Sequence, residues 1–334
     1  MDTFLQEFYK VQWLRSNFDL VLVPFYRDSR ELGHLDWQAK YRGLIRNAKQ
    51  PKGWKAVSSG FLPIQLDTAG TRLANFILKN DYQIILSSDL AGICNETFRR
   101  VRKRNPETKC VLLAHGGYTL GREHLFREAA KKDIESLSLR ERAAAKAASS
   151  ILFPTKCALD WFTRAHQISD KNCEVLNWPF NKKRRLGPKL PKRVGWAFYA
   201  KLENRKGLDL FLSYLEKNLG PSAGAPSVVF LIGPSGVVMD IPSWKFIDEF
   251  KKAHPFIRIE TVAGLKRDDA LKFIERTCSR VYLPSRFETF GYALVEVATH
   301  TSCQIFCSAI PAFLEVAQRF RLRRVNFLNF DKSP

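Results

Sequence analysis

Short apolar, β-branched runs alternate with helix-period stretches along the whole chain. The runs DLVLVP (19–24), QIILS (83–87), CVLLA (110–114), SILF (150–153), VGWAFY (194–199), VVFLI (228–232), IRIET (257–261), RVYL (280–283) and CQIFC (303–307) read as buried strands. Between several of them lie amphipathic helices. In GLDLFLSYLEKN the residues Leu208, Phe211, Leu212 and Leu215 recur at i, i+3, i+4 and i+7, which puts all four on one face. The opening segment TFLQEFYKV is a helix candidate, because Thr3 and Gln6 have capping-box spacing. Strand and helix in alternation specify parallel, doubly wound α/β sheets. The alternation breaks at NKKRRLGPKLPKR (181–193), where apolar residues vanish and two prolines and a glycine appear. The expected organisation is a domain over 1–180, a basic linker over 181–193 and a second Rossmann-like domain over 194–334, with a crevice between the carboxyl ends of their strands. No internal repeat interrupts this plan.

Composition narrows the class. A chain of 334 residues with 45% apolar and 12% aromatic residues suits two globular domains. It contains no run of about 18 uninterrupted apolar residues, and MDTFLQEFYK has neither the basic start nor the apolar stretch of a signal peptide. The expected location is the cytoplasm, with peripheral contact to a membrane left open. Seven scattered cysteines, several inside apolar segments, suit neither a disulfide framework nor a zinc site.

The net charge of +21 is unevenly spread, with 21 basic against 9 acidic residues between 101 and 200. RRVRKR (99–104) and NKKRRLGPKLPKR supply much of it. Such segments attract a polyanion such as DNA, or an anionic membrane surface, and serve equally as solvated faces or a linker.

Two constellations carry candidate chemistry. In PSRFETFGYALVEVATH (284–300) a strand end is followed by Glu288, Phe290, Gly291, Tyr292 and Glu296. A helix starting near Phe290 or Gly291 offers unpaired N–H groups to a phosphate, and Gly291 permits close backbone approach. Glu288 precedes that helix and Glu296 lies about 8 Å along it, so they suit two ends of one long hydroxylated ligand. The alternative is a surface pair in which Glu296 faces His300. In WAFYAKLENRKGLDLF, Lys201, Arg205 and Lys206 follow a strand and precede a helix at Gly207, as a diphosphate clamp or an ordinary basic loop would.

These segments resemble the family 4 glycosyltransferases of GT-B architecture. PSRFETFGYALVE looks like that family's strand end with two glutamates separated by seven residues, and YAKLENRKGLDLFL resembles its Gly-Arg-Leu to Lys-Gly segment, with Lys201 in place of arginine. VVFLIGPSG, IRIETVAGLKRDDALKFI and SSILFPTKCALDWF match in part. The resemblance implies two Rossmann-like domains facing a cleft, and retaining transfer of a hexose from a UDP- or GDP-linked sugar with no cofactor and no metal. It implies that Glu296 holds the ribose, Glu288 contacts the transferred sugar, and Lys201 and Lys206 neutralise the diphosphate. Phe290, Gly291, Tyr292, Arg205 and Gly233 fall on the donor side. His115, in VLLAHGGYTLG, matches a histidine that faces the donor sugar, or serves a structural hydrogen bond; Gly116, Gly117 and Thr155 would border the acceptor.

The chain departs from the family in three places. It opens with a helix where a strand and glycine-rich loop are usual, little follows CQIFCSAIPAFLEVAQRF to build closing helices, and lysine at 201 loses the bidentate geometry of arginine. The acceptor stays open among DNA, a membrane or envelope glycan and a neutral one, and no obligate protein partner is inferred. The competing function is a degenerate GT-B-like chain that binds nucleic acid without catalysis.

Overall fold

The computed structural model describes residues 66–79, 81–87, 94–114, 128–176, 195–219 and 228–330. The expected N-terminal helix, the strand at 19–24, His115, Gly116, Gly117 and the linker at 181–193 lie outside these residues. The first half, in chain order, is helix α1 (Leu66–Lys79), strand β1 (Ile84–Ser87), α2 (Cys94–Arg104), β2 (Lys109–Leu113), α3 (Glu128–Ala147), β3 (Ser150–Phe153), α4 (Lys156–His166) and β4 (Cys173–Val175). Its strands form a parallel sheet ordered β1-β2-β3-β4. Phe98 and Val101 of α2, Leu112 and Phe153 of the sheet and Phe162 of α4 form its core.

The second half contains β5 (Gly195–Tyr199), a 3-10 turn (Asn204–Lys206), α5 (Leu208–Asn218), β6 (Val228–Ile232), β7 (Val237–Val238), β8 (Ile241–Pro242), α6 (Ser243–Ala253), β9 (Ile259–Val262), α7 (Arg267–Thr277), β10 (Cys278–Leu283), α8 (Tyr292–His300), β11 (Gln304–Ser308), α9 (Pro311–Arg319) and β12 (Val325–Leu328). Six of these strands form a parallel sheet in the order β12-β11-β10-β5-β6-β9, and β7 pairs antiparallel with β8. Counted from the start of this half, that order is the doubly wound one, whose strand order reverses between β5 and β10. The helices that follow these two strands pack on opposite faces of the sheet, and the loops leaving the strands meet at their carboxyl ends.

Apolar side chains on both faces of the strands explain the helices on both sides. Trp196 and Phe198 of β5 and Val229 and Leu231 of β6 pack with Leu208, Phe211, Leu212 and Leu215 of α5. Ala197, Phe230 and Ile232 point the other way, into a second layer with Ile274, Leu294, Val297 and Phe313. The four helical residues read from the sequence are all buried, and each contributes about 1.5–3 kcal/mol by leaving water.

The structure shifts some boundaries. The IRIET strand begins later, at Ile259, because Ile257 N–H bonds the His254 carbonyl in a turn. CQIFCSAIPAFLEVAQRF ends in α9, with Pro311 in its first turn, and after it the described residues hold no further helix but an edge strand, β12, parallel to β11, which the sequence reading did not pick out. All seven cysteines are free thiols, and burial raises the pKa of Cys110 to about 11 and that of Cys307 to about 12.

The carboxyl ends of the two sheets face each other. Leu113, at the end of β2, packs with Phe290, Val295 and Val316 from the second half, and Thr155, just after β3, bonds the backbone of Thr289 after β10. No described helix is long and apolar enough to cross a membrane.

Candidate active site

Two loops, residues 200–206 after β5 and 284–291 after β10, build the site at the point where the strand order reverses. The first loop runs beside the turn that follows β6: Ala200 N–H bonds Ile232 O, Leu202 N–H bonds Pro234 O, and Leu202 bridges Ser235. A Cβ on Gly233 would lie 2.0 Å from the Ala200 carbonyl oxygen, so Gly233 serves this close loop approach. Gly207 then turns the chain into α5 with φ +73°, and a Cβ there would stand 1.9 Å from the Pro284 carbonyl oxygen. The two site loops therefore touch backbone to backbone.

Arg286 fixes the contact. Its backbone N–H bonds Arg205 O at 3.0 Å, its guanidinium donates to Asn204 O at 2.7 Å, and the same fork makes bonds of 2.7 and 2.6 Å to the carboxylate of Asp209. A bidentate fork holds both partners in one plane, and lysine would not replace it.

On this frame sits a chain of alternating charges. Lys201 Nζ lies 2.9 Å from Glu203, Glu203 lies 2.9 Å from Arg205, Arg205 lies 3.8 Å from Glu288, and Glu288 is bonded by Lys206. Ser285 Oγ donates a further bond to Glu288 at 3.0 Å. Burial pushes the Glu288 carboxyl up, but the charges of Lys206 and Arg205 and the bonds from Lys206 and Ser285 outweigh it and hold the pKa below the ordinary carboxylate value. Three cations against two carboxylates leave the chain with a net positive charge at a strand end, and Lys201, with half its side chain exposed, is its open end.

Glu296 occupies the first turns of α8, and its carboxylate turns away from His300. Arg267 Nε lies 2.9 Å from one oxygen, and Tyr199 donates to the other at 3.2 Å. His300 instead meets the Glu296 carbonyl oxygen at 3.0 Å and Thr299 at 2.8 Å, so the surface pairing weighed above does not form. Burial and the neighbouring Glu296 charge hold the Tyr199 phenol far above the usual tyrosine range, which keeps it a donor. Each carboxylate oxygen retains acceptor capacity beyond these bonds.

The remaining candidates take other places. Gly291 is left-handed, with φ +81°, and caps α8, where a Cβ would strike the Phe313 ring at 2.4 Å. Phe290 is 2% exposed, in the apolar cluster between the two sheets, and Tyr292 packs on it with ring centroids 4.7 Å apart. Thr155 caps α4 by accepting from Ala158 N–H at 3.1 Å and is fully buried. Sequence reasoning did not single out Glu203, Asp209, Arg267, Ser285 or Tyr199 for the site. Arg286 lay inside the quoted motif, but nothing local signals a bond to Asp209, 77 positions earlier.

No protein-family model matches the chain, and no curated protein matches it in sequence. Among solved structures it is similar to HepE of Anabaena in complex with UDP and glucose, with 14% identity, 82% of this chain and 72% of that one covered, and a TM-score of 0.57. It is similar to sucrose-phosphate synthase of Thermosynechococcus elongatus, with 13% identity, coverage of 77% and 64% and a TM-score of 0.55. A UDP-forming trehalose-phosphate synthase of Burkholderia xenovorans in complex with glucose-6-phosphate matches with 11% identity, coverage of 78% and 67% and a TM-score of 0.52. The chain spans 65% of HepE in its complex with UDP alone, slightly under two thirds. These likenesses show the architecture: the chain has the GT-B fold of two Rossmann-like domains.

Proposed function

We propose that the chain is a retaining, metal-independent glycosyltransferase that moves a hexose from a nucleotide diphosphate sugar to an acceptor hydroxyl. The observation that carries the reading is the charge chain on Glu288, placed where an open α/β sheet binds ligands. Negative charge grows on the diphosphate as the anomeric bond breaks. Lys206, Arg205 and Lys201, prepositioned on a frame clamped by Arg286, stabilise that charge more than the ground state. Glu288, kept ionised, accepts hydroxyls of the transferred sugar, and Glu296, oriented by Arg267 and Tyr199, accepts those of the ribose. Residues 1–180 hold the acceptor, 194–334 hold the donor, and 181–193 join them. Since HepE is solved with UDP and glucose, UDP-glucose is the first donor to try.

The test is a thermal-shift panel of UDP-, GDP-, ADP- and TDP-sugars on the wild type and on Glu296→Ala, run with and without EDTA. A donor at 100 times its Kd adds about 2.7 kcal/mol of stability to a fold that binds it. The expected result is one donor that raises the wild-type Tm, EDTA present or not, with a much smaller shift in the variant. No shift from any donor would abandon the transfer reading.

The second reading, nucleic-acid binding without catalysis, draws on the placement of the basic run at 99–104. It forms the end of α2, with Cys94, Thr97, Phe98 and Val101 buried and Arg99, Arg102, Lys103 and Arg104 exposed. Arg102 donates to the Ala147 carbonyl at the end of α3, so the basic end lies at the amino-terminal edge of the sheet, away from the crevice. A polyanion held there is docked, not presented to the donor.

A further inference from the structure

We propose that α4 is a positioning element for Glu288, acting through Thr155 and Trp161; this rests on the reading of Glu288 as a donor-contacting residue. The loop that carries Glu288 is gripped from the other half of the molecule on both sides of that residue. Phe287 meets Trp161 with ring centroids 5.9 Å apart and tilted by 56°. Thr289 O accepts the hydroxyl of Thr155 at 2.6 Å. Thr155 donates its one proton to Thr289 O while its oxygen accepts Ala158 N–H to cap α4 and lies 3.4 Å from the Cys157 thiol.

The second half also reaches back to the same helix end. Both oxygens of Glu315 accept N–H groups of α4, from Lys156 at 2.8 Å and from Cys157 at 3.1 Å. Arg319 bonds Glu315 and donates to Pro154 O at 2.6 Å. This helix N-terminus is thus filled by the protein's own carboxylate and is closed to a phosphate. A carboxylate at the positive end of a helix dipole, beside a buried hydroxyl latch, draws the two halves together at the loop where Glu288 stands. Arg205, Lys206 and Ser285 hold the Glu288 carboxylate from the donor side, and α4 holds its backbone from the acceptor side. Glu288 is aligned when the halves are engaged.

The test compares Thr155→Val, Thr155→Ser, Trp161→Leu and Leu159→Val. Leu159 is buried from the same helix in the core of the first half, so its variant reports general destabilisation. Amide hydrogen exchange over 285–291 is expected to rise by about tenfold in Thr155→Val and Trp161→Leu, to return to the wild-type rate in Thr155→Ser, and to stay near it in Leu159→Val. With UDP-glucose and water as acceptor, Thr155→Val is expected to lose about tenfold or more in kcat while KM holds within about twofold, since the donor-binding groups lie on the other half. Loop exchange in Thr155→Val equal to that in Leu159→Val overturns the latch. A rise in KM at constant kcat overturns the positioning role. Absence of turnover and of UDP binding in the wild type overturns the transfer reading, whereas the exchange comparison decides the latch by itself.

Discussion

Glu288 keeps its charge where burial alone would suppress it. The desolvation that favours the neutral acid is outweighed by Lys206 and Arg205, so the folded pKa lies below the unfolded one. The sign of the pH effect follows: the stability this adds is present above the ordinary value of 4.5 and is lost as the pH falls through the folded pKa. Glu288→Gln, which leaves Lys206 and Arg205 without their carboxylate, is expected to cost about 2 kcal/mol at neutral pH. Urea denaturation of both proteins between about pH 6 and about pH 3 should show that gap closing on the acid side. A gap that stays constant would mean that the charge of Glu288 is not what stabilises the cluster.

At the scale of elements, the site depends on two loops that approach more closely than a side chain allows. Gly207 and Gly264 have nearly the same positive φ, +73° and +76°, yet the first faces the Pro284 carbonyl and the second faces open space. Gly264→Ala is expected to cost about 1 kcal/mol from backbone conformation alone. Gly207→Ala adds a steric collision that only movement of the loop after β10 relieves, and is expected to cost about 3 kcal/mol or more. The contrast is read by equilibrium denaturation of both variants, and equal losses would show that the loops have room to separate. The same packing explains Arg286: its planar fork ties α5 to the Glu288 loop, so the helix carrying Asp209 positions chemistry that it never touches.

For the whole molecule, the basic end of α2 and the Glu288 site are separate features. The exposed basic end of α2 lies at the edge opposite the loops that hold Glu288 and Lys206. Binding of a random-sequence DNA duplex should therefore weaken steeply with salt, with a slope of about −0.9 per phosphate contact. The pair Lys103→Glu and Arg104→Glu should reduce that slope by about 2 and leave the UDP-sugar thermal shift in place. If the pair leaves DNA affinity and salt slope untouched, the end of α2 is a solvated face. If it abolishes the sugar shift as well, the two surfaces are not independent.

What the amino-acid sequence determined by itself is the alternation of elements and the type of chemistry. Continuous apolar runs such as VVFLI and the i, i+3, i+4, i+7 set of α5 depend on local pattern, so they are legible without a structure. Glu288, Arg205 and Lys206 were legible as charges at strand ends for the same reason. The edge strand β12 was missed because its alternation sits behind the dense charges of RLRR, and only pairing with β11 defines it. Tertiary structure alone decided which charges meet. It joined Arg286 to Asp209, turned Glu296 from His300 towards Arg267 and Tyr199, put Phe290 between the sheets and made Thr155 a latch on Thr289. Arg286 and Asp209 stand 77 residues apart and Thr155 and Thr289 134 apart, where a local pattern spans fewer than ten; the first pair meets because β5 and β10 lie side by side in one sheet, the second because two separately wound sheets bring their carboxyl ends together.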